Sequence, residues 1–255
     1  MAGTETAAPS VFIWVRSAID WADEAVFVSQ VKPGFLPKLE RWNETFTMPY
    51  HRFRHEVCEI ARLSLARVAR AAVRPWDEIP DGAIVLPSDD DDWFAPDIVA
   101  LLEACRDEEA TGYLWSPRYL EVPVGIRHRV DLTRQRLNPR TPPRYLCATN
   151  GYAFVKQPGT ESIGRSHMHA SVVFEQESGR VRRIDGRPSI VNRTLASQTT
   201  LFHLRPAISR RRLLAKYGAY RRLYRGSCLS GVDWAEEYVA RMALLMDRLE
   251  VRASR

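Results

Sequence analysis

The chain has 255 residues, 45% of them hydrophobic and 27% charged, a balance that excludes wholesale disorder. Its 16 prolines and 13 glycines follow no fixed period, which excludes collagen-like and low-complexity architectures. The formal net charge is +6, and no apolar run approaches the roughly 20 residues of a membrane-spanning helix.

Residues 1–10 are small and polar and read as a frayed tail, with no basic stretch of the kind that opens a signal peptide. Residues 11–16 (VFIWVR) read as a buried strand and residues 25–31 (AVFVSQV) as a second. The proline-containing stretch 32–49, with Trp42 and Phe46, reads as a loop. From residue 50 to 73, Phe53, Val57, Ile60, Ala61, Leu63, Leu65 and Val68 recur mostly at three- and four-residue steps, the spacing of a helix that Pro75 stops. Pro80, Asp81 and Gly82 form a turn before the apolar run 83–86. The segment PSDDDDWFAPD (87–97) leads into a helix over 98–109. Residues 113–119 and 147–155 read as strands on either side of an Arg- and Pro-rich loop at 134–144. Residues 171–174 are compatible with helix or strand. Helices are expected over 208–224 and 233–251, the last with Trp234, Tyr238, Met242, Leu245 and Leu249 on one packing stripe. Strand–helix–strand order followed by helices implies an α/β layer structure.

Cys58, Cys105, Cys147 and Cys228 contain no CxxC pair, and four cysteines in so long a chain do not make a disulfide framework. The positive charge is concentrated: residues 186–232 hold ten lysines and arginines and no acidic residue. Such a block is either a solvated cationic face or a surface for phosphate, an anionic membrane or nucleic acid. No RNA-recognition signature, zinc finger or helix-turn-helix accompanies it.

Four consecutive aspartates, Asp89–Asp92, follow an apolar strand and precede Trp93 and Phe94. Adjacent carboxylates repel one another, and a divalent cation such as Mg²⁺ or Mn²⁺ relieves that repulsion. Ligands of open α/β sheets also bind beyond the carboxyl ends of the strands. The plainer reading is an acidic turn at the start of the next helix, although a cap needs one aspartate rather than four. His167 and His169 lie two apart, so they share a face on a strand and diverge on a helix. A zinc pair would need a third ligand to which the sequence does not point. There is no P-loop, GxGxxG, GxSxG or HExxH.

An apolar strand, DDDDW, then a proline-containing step into a helix resembles the nucleotide-sugar glycosyltransferases of the GT-A fold, family 2 type. The preceding helix, with Arg52, Arg54 and His55, is similar to the family's helix before that strand. The resemblance spans residues 52–103, and more loosely 148–169. It implies a GT-A-like mixed sheet flanked by helices over 11–205, with a basic helical C-terminal extension over 206–255. It also implies transfer of a sugar from a nucleotide-diphosphate donor to a hydroxyl acceptor, with Mn²⁺ or Mg²⁺ as cofactor. Asp91 would ligate the cation, with Asp92 behind it or as a further ligand. Asp89, on the ribose or base side, Asp90, Arg54, Arg193 and Asn150 would face the donor. Arg210, Arg211 and Arg212 would join Arg193 on the diphosphate.

The first strand lacks the family's Pro-x-Tyr/Phe-Asn ending, which leaves Asp20 as the candidate for the base contact. The Glu-Asp pair of inverting members is also missing, so His169, His167 or Glu161 would take the acceptor's proton, or one histidine would complete the metal shell. The partners expected are a nucleotide-sugar and a glycan, lipid-linked or small-molecule acceptor, with a homodimer or peripheral membrane contact left open. The expected location is the cytoplasm or the inner membrane face. The alternatives are a metal-dependent nucleotidyl- or phosphotransferase, and a non-catalytic nucleic-acid- or membrane-binding domain.

Overall fold

A computed structural model describes residues 10–16, 23–69, 71–120, 150–195 and 231–252. Strand β1 (Val11–Val15) is the expected apolar run. The second expected strand, at 25–31, is instead helix α1 (Glu24–Gln30). The Asp23 carboxylate accepts the N–H groups of Ala25 at 2.7 Å and Val26 at 3.1 Å, and that cap outweighs the strand preference of the valines. The expected loop at 32–49 contains a 3₁₀ turn (Pro33–Phe35) and helix α2 (Leu36–Thr45). Pro33 and Pro37 occupy first-turn positions, where a missing N–H costs nothing.

Helix α3 (Tyr50–Ala66) starts as expected but ends before residue 73, because β2 (Ala72–Val73) turns back to pair with β1. Next come β3 (Ile84–Ser88), β4 (Trp93–Phe94) and α4 (Ile98–Ala104), the last shorter than its expected 98–109. The single strand expected at 113–119 is two, β5 (Gly112–Leu114) and β6 (Arg118–Leu120), in different sheets. Pro117, which has no N–H for a ladder, stands between them. The chain continues through β7 (Tyr152–Val155), α5 (Glu161–Arg165), α6 (His167–Gln176), β8 (Val181–Arg183) and β9 (Ser189–Asn192). Residues 171–174 are therefore helical. After a 3₁₀ turn (Asp233–Ala235), α7 (Glu236–Arg248) takes the place of the helix expected over 233–251. Asp20, the loop at 134–144, the helix at 208–224 and its Arg210, Arg211 and Arg212 lie outside the described residues.

The fold is α/β: a mixed six-stranded sheet, ordered β2-β1-β3-β7-β5-β8, is flanked by helices. Strand β7 runs antiparallel to both of its neighbours, and the other pairings are parallel. Both faces are buried. Val11, Ile13, Ile84 and Leu86 pack with Ile98, Val99 and Leu102 of α4. Phe12, Trp14, Val85 and Phe154 pack on the other face with Ile163, Ala170 and Phe174 of α5 and α6. A Cβ at Gly164 would overlap the Trp14 ring, and one at Gly112 the Phe174 ring, so these glycines let α5 and α6 sit close to the sheet.

A three-stranded sheet, ordered β4-β9-β6, adjoins a helical core. In that core Trp42, Phe46, Phe53 and Val57 of the α2–α3 region meet Tyr238, Met242 and Leu245 of α7. The stripe expected on the last helix is thus a packing face. Among the described residues no helix is long and apolar enough to cross a membrane.

Candidate functional site

Parallel pairing brings the carboxyl ends of β1 and β3 side by side, with Val15 opposite Ser88. The next residue on each strand is therefore Arg16 or Asp89, and the Arg16 N–H donates to the Ser88 carbonyl at 2.9 Å. Arg16 Nη1 lies 3.7 Å from Asp89 Oδ1, and Arg16 Nη2 donates to the Tyr152 hydroxyl at 3.4 Å. From α3, Arg54 Nη2 donates to Asp90 Oδ2 at 2.5 Å. Two guanidinium groups from different elements thus converge on the aspartate turn.

Asn150 holds both ends of that turn. Its backbone sits at φ 53°, a left-handed conformation that asparagine tolerates better than most residues. Its Oδ1 accepts the Asp89 N–H at 3.3 Å, and its Nδ2 donates to Asp92 Oδ2. The Asn150 carbonyl accepts the Ser189 hydroxyl at 2.7 Å, and that hydroxyl accepts the Trp115 indole N–H at 2.8 Å. Asp92 Oδ1 accepts the Asn192 N–H at 2.6 Å. Both Asp92 oxygens are thus occupied, and the residue is only 1% exposed, so it braces the turn from behind. Arg16 Nε and Asn192 Nδ2 are buried donors with no hydrogen-bond partner among the described residues.

The electrostatics single out Asp91. Among the described residues no other residue bonds its carboxylate, which meets only its own backbone N–H. Burial, then Asp90 and Asp89, raise its pKa to about 7. Burial and the neighbouring carboxylates also hold Asp92 well above the ordinary range. Asp89 is raised by burial, against the pull of Arg16. Around the same charges, burial pushes the Cys58 thiol up to about 12 and raises the Tyr50 phenol. Four carboxylates face two guanidinium groups, and the shortfall appears as the raised pKa values of Asp89, Asp91 and Asp92.

His167, the first residue of α6, is half-buried and within electrostatic reach of Asp89, Arg16 and Arg193. Burial and then Arg16 lower its proton affinity, so it is neutral at pH 7. The Arg193 guanidinium stacks 4.4 Å above the Tyr119 ring. Two other candidates stand apart from the aspartates. His169 is exposed, its backbone N–H bonded to Ser166 Oγ, because helical geometry turns it away from His167. Glu161 is tied to Arg165 one turn along α5.

Sequence reasoning missed Arg16 and Ser189 as members of the site. Matching the ends of β1 and β3 would have found Arg16, but nothing local to residues 150 and 189 announces that they meet. Among the described residues no three His, Cys, Asp or Glu side chains converge as a preformed metal cage. No protein-family model matches the chain, and no curated protein matches its sequence.

Proposed function

We propose that the protein is a metal-dependent glycosyltransferase of GT-A type, moving a sugar from a nucleotide-diphosphate donor to a hydroxyl acceptor. The observation that carries this reading is Asp91, a half-buried carboxylate with no partner side chain among the described residues, just beyond the carboxyl end of central strand β3, with Arg54 within electrostatic reach and Arg16 and His167 around the neighbouring Asp89. The mixed six-stranded sheet flanked by helices is compatible with that fold.

Mg²⁺ characteristically takes one or two carboxylates together with substrate phosphates rather than an all-protein cage, and this donor set suits that habit. Asp91, with Asp89 beside it, would hold the cation, whose charge offsets that developing on the departing diphosphate. Asp92 is committed to Asn150 and Asn192 and acts as a brace instead. Arg16 and Arg54 orient Asp89 and Asp90 and limit the repulsion within the turn. His167, neutral at pH 7, accepts the proton of the acceptor hydroxyl as its oxygen attacks the anomeric carbon. The bond from that carbon to the diphosphate breaks, and its electron pair leaves with the diphosphate.

The test is thermal stabilisation by UDP or GDP with Mn²⁺ present, followed by hydrolysis of the matching sugar nucleotides. The expected result is stabilisation that EDTA removes and that Asp91→Ala lacks, with slow sugar release when no acceptor is present. Stabilisation indifferent to both EDTA and Asp91→Ala would overturn the reading. Pyrophosphate release from a nucleoside triphosphate, without sugar release, would move the assignment to nucleotidyl transfer.

A further inference from the structure

A polar cavity lies between the first turns of α3 and the end of α7. It has a volume of about 420 Å³ and is lined by Thr47, Met48, Arg52, His55, Glu56 and Arg248. Its rim is pinned on both sides. The Thr47 N–H donates to the Glu250 carbonyl at 2.8 Å, the Arg252 N–H donates to the Thr45 carbonyl at 2.8 Å, and Phe46 and Val251 form an antiparallel bridge. The Trp42 indole donates to the Met48 carbonyl at 3.0 Å from beneath. The pocket is therefore held by backbone pairing and a buried tryptophan.

Its charges are unequally committed. Arg248 reaches Glu56 with two nitrogens, at 2.9 and 3.4 Å, so those two charges largely cancel. His55 Nε2 stands 3.6 Å from Glu59, whose same oxygen already accepts from Arg62. Arg52 is exposed and makes no hydrogen bond or ion pair among the described residues. Counting the two arginines against Glu56, the pocket keeps one net positive charge, with an imidazole and the Thr47 hydroxyl beside it. Arg54, two residues along α3, is committed to Asp90, so the same helix serves two separate places.

We propose that this pocket binds a small phosphate-bearing ligand, with the Arg52 guanidinium taking two phosphate oxygens and His55 and Thr47 completing the contacts. A carboxylate ligand would be held less well, because it offers fewer oxygens to the donors of α3 and of the segment before it. The cavity is larger than a single phosphate needs, so a phosphate monoester fills it better than free phosphate does. This inference does not depend on how the aspartate turn is read.

The test is calorimetric titration of the full chain with inorganic phosphate and with glycerol phosphate, in chloride buffers of matched ionic strength. Saturable binding is expected, weakened at least tenfold in Arg52→Gln and also reduced in His55→Gln, but unchanged in Asp91→Asn. Because Arg52 is exposed and unpaired, its replacement leaves the fold alone, which the unfolding midpoint of the variant checks. Tighter binding of glycerol phosphate assigns an ester as the ligand, and equal binding assigns free phosphate. Absence of saturable binding, or equal binding by wild type and Arg52→Gln, overturns the proposal. Loss of binding in Asp91→Asn with retention in Arg52→Gln also overturns it, by moving the anion to the aspartate turn.

Discussion

Two parts of the molecule gather charge, and they treat it in opposite ways. Along the seam between α3 and α7, Glu237 receives bonds from Arg67 and Arg241, all in solvent, and these hold its pKa below the usual carboxylate range. In the aspartate turn the carboxylates are also near arginines, yet burial raises Asp89, Asp91 and Asp92 instead. The difference is one of accounting between desolvation and partners. A solvated carboxylate with two guanidinium groups is satisfied, whereas carboxylates crowded against one another beside two such groups, with Asp92 fully buried behind them, are not. The first arrangement fastens a helix. The second leaves an unsatisfied negative charge beyond the end of β3, where the proposed cation would bind.

The sharpest way to break that contrast is to remove the unsatisfied charge. Asp91→Ala should lower the proposed sugar transfer by roughly a thousandfold, since it deletes the uncommitted carboxylate. Asp91→Asn should do the same while raising Tm in EDTA at pH 8, because a half-buried repulsive charge is gone. Retained turnover with unchanged Mn²⁺ dependence would show that the turn's charge has no catalytic use.

Next in size are two variants that separate stability from site geometry. Trp42→Ala empties a fully buried position in the helical core and should cost about 4 kcal/mol. Asn150→Ala leaves a buried oxygen of Asp92 and the Asp89 N–H unpaired and places alanine at positive φ, for a cost of about 3 kcal/mol. Asn150→Gly relieves only the backbone part, so it should recover about 1 kcal/mol of that loss. Denaturant unfolding ranks the three. Activity should rank them differently, with Asn150→Ala losing more turnover per folded molecule than Trp42→Ala. An Asn150→Ala protein of full activity would remove the clamp from the account of the site.

What could be read from the sequence follows the range of the interactions. Strands β1 and β3, helix α3 and the aspartate turn were legible, because apolar runs, three- and four-residue spacing and a carboxylate cluster are local patterns. Helices α1 and α2 were not. Val26 and Val28 imitate a strand until Asp23 caps the chain, and Pro33 and Pro37 look like loop residues until they are placed in first turns. The split of β5 from β6 depends on which sheet each joins, a long-range choice. For the site, Asp89–Asp92, Arg54 and Asn150 were picked out in advance and do meet. The two histidines could not be ranked without knowing that they start a helix, which turns His167 toward Asp89 and His169 into solvent.

A pH series sharpens the comparison with smaller effects. The folded-state pKa of Asp91, about 7, lies above the roughly 3.9 of an unfolded aspartate, so the folded protein binds the extra proton between those values. Its contribution is fully present below about pH 4 and is lost as pH rises through 7, so Tm in EDTA should fall across that window. Mn²⁺ should flatten the fall, as should Asp91→Asn. Glu237 runs the other way: its pKa is lowered, so its contribution is present above the unfolded glutamate value and disappears as pH drops through the folded one. Because that carboxylate is fully exposed, Glu237→Gln should move Tm at pH 7 by no more than the scatter of the measurement, and less still in high salt. A Glu237→Gln loss as large as that of Asn150→Ala would mean that solvated pairs carry as much weight as buried ones in this protein, and the contrast between the two regions would fail.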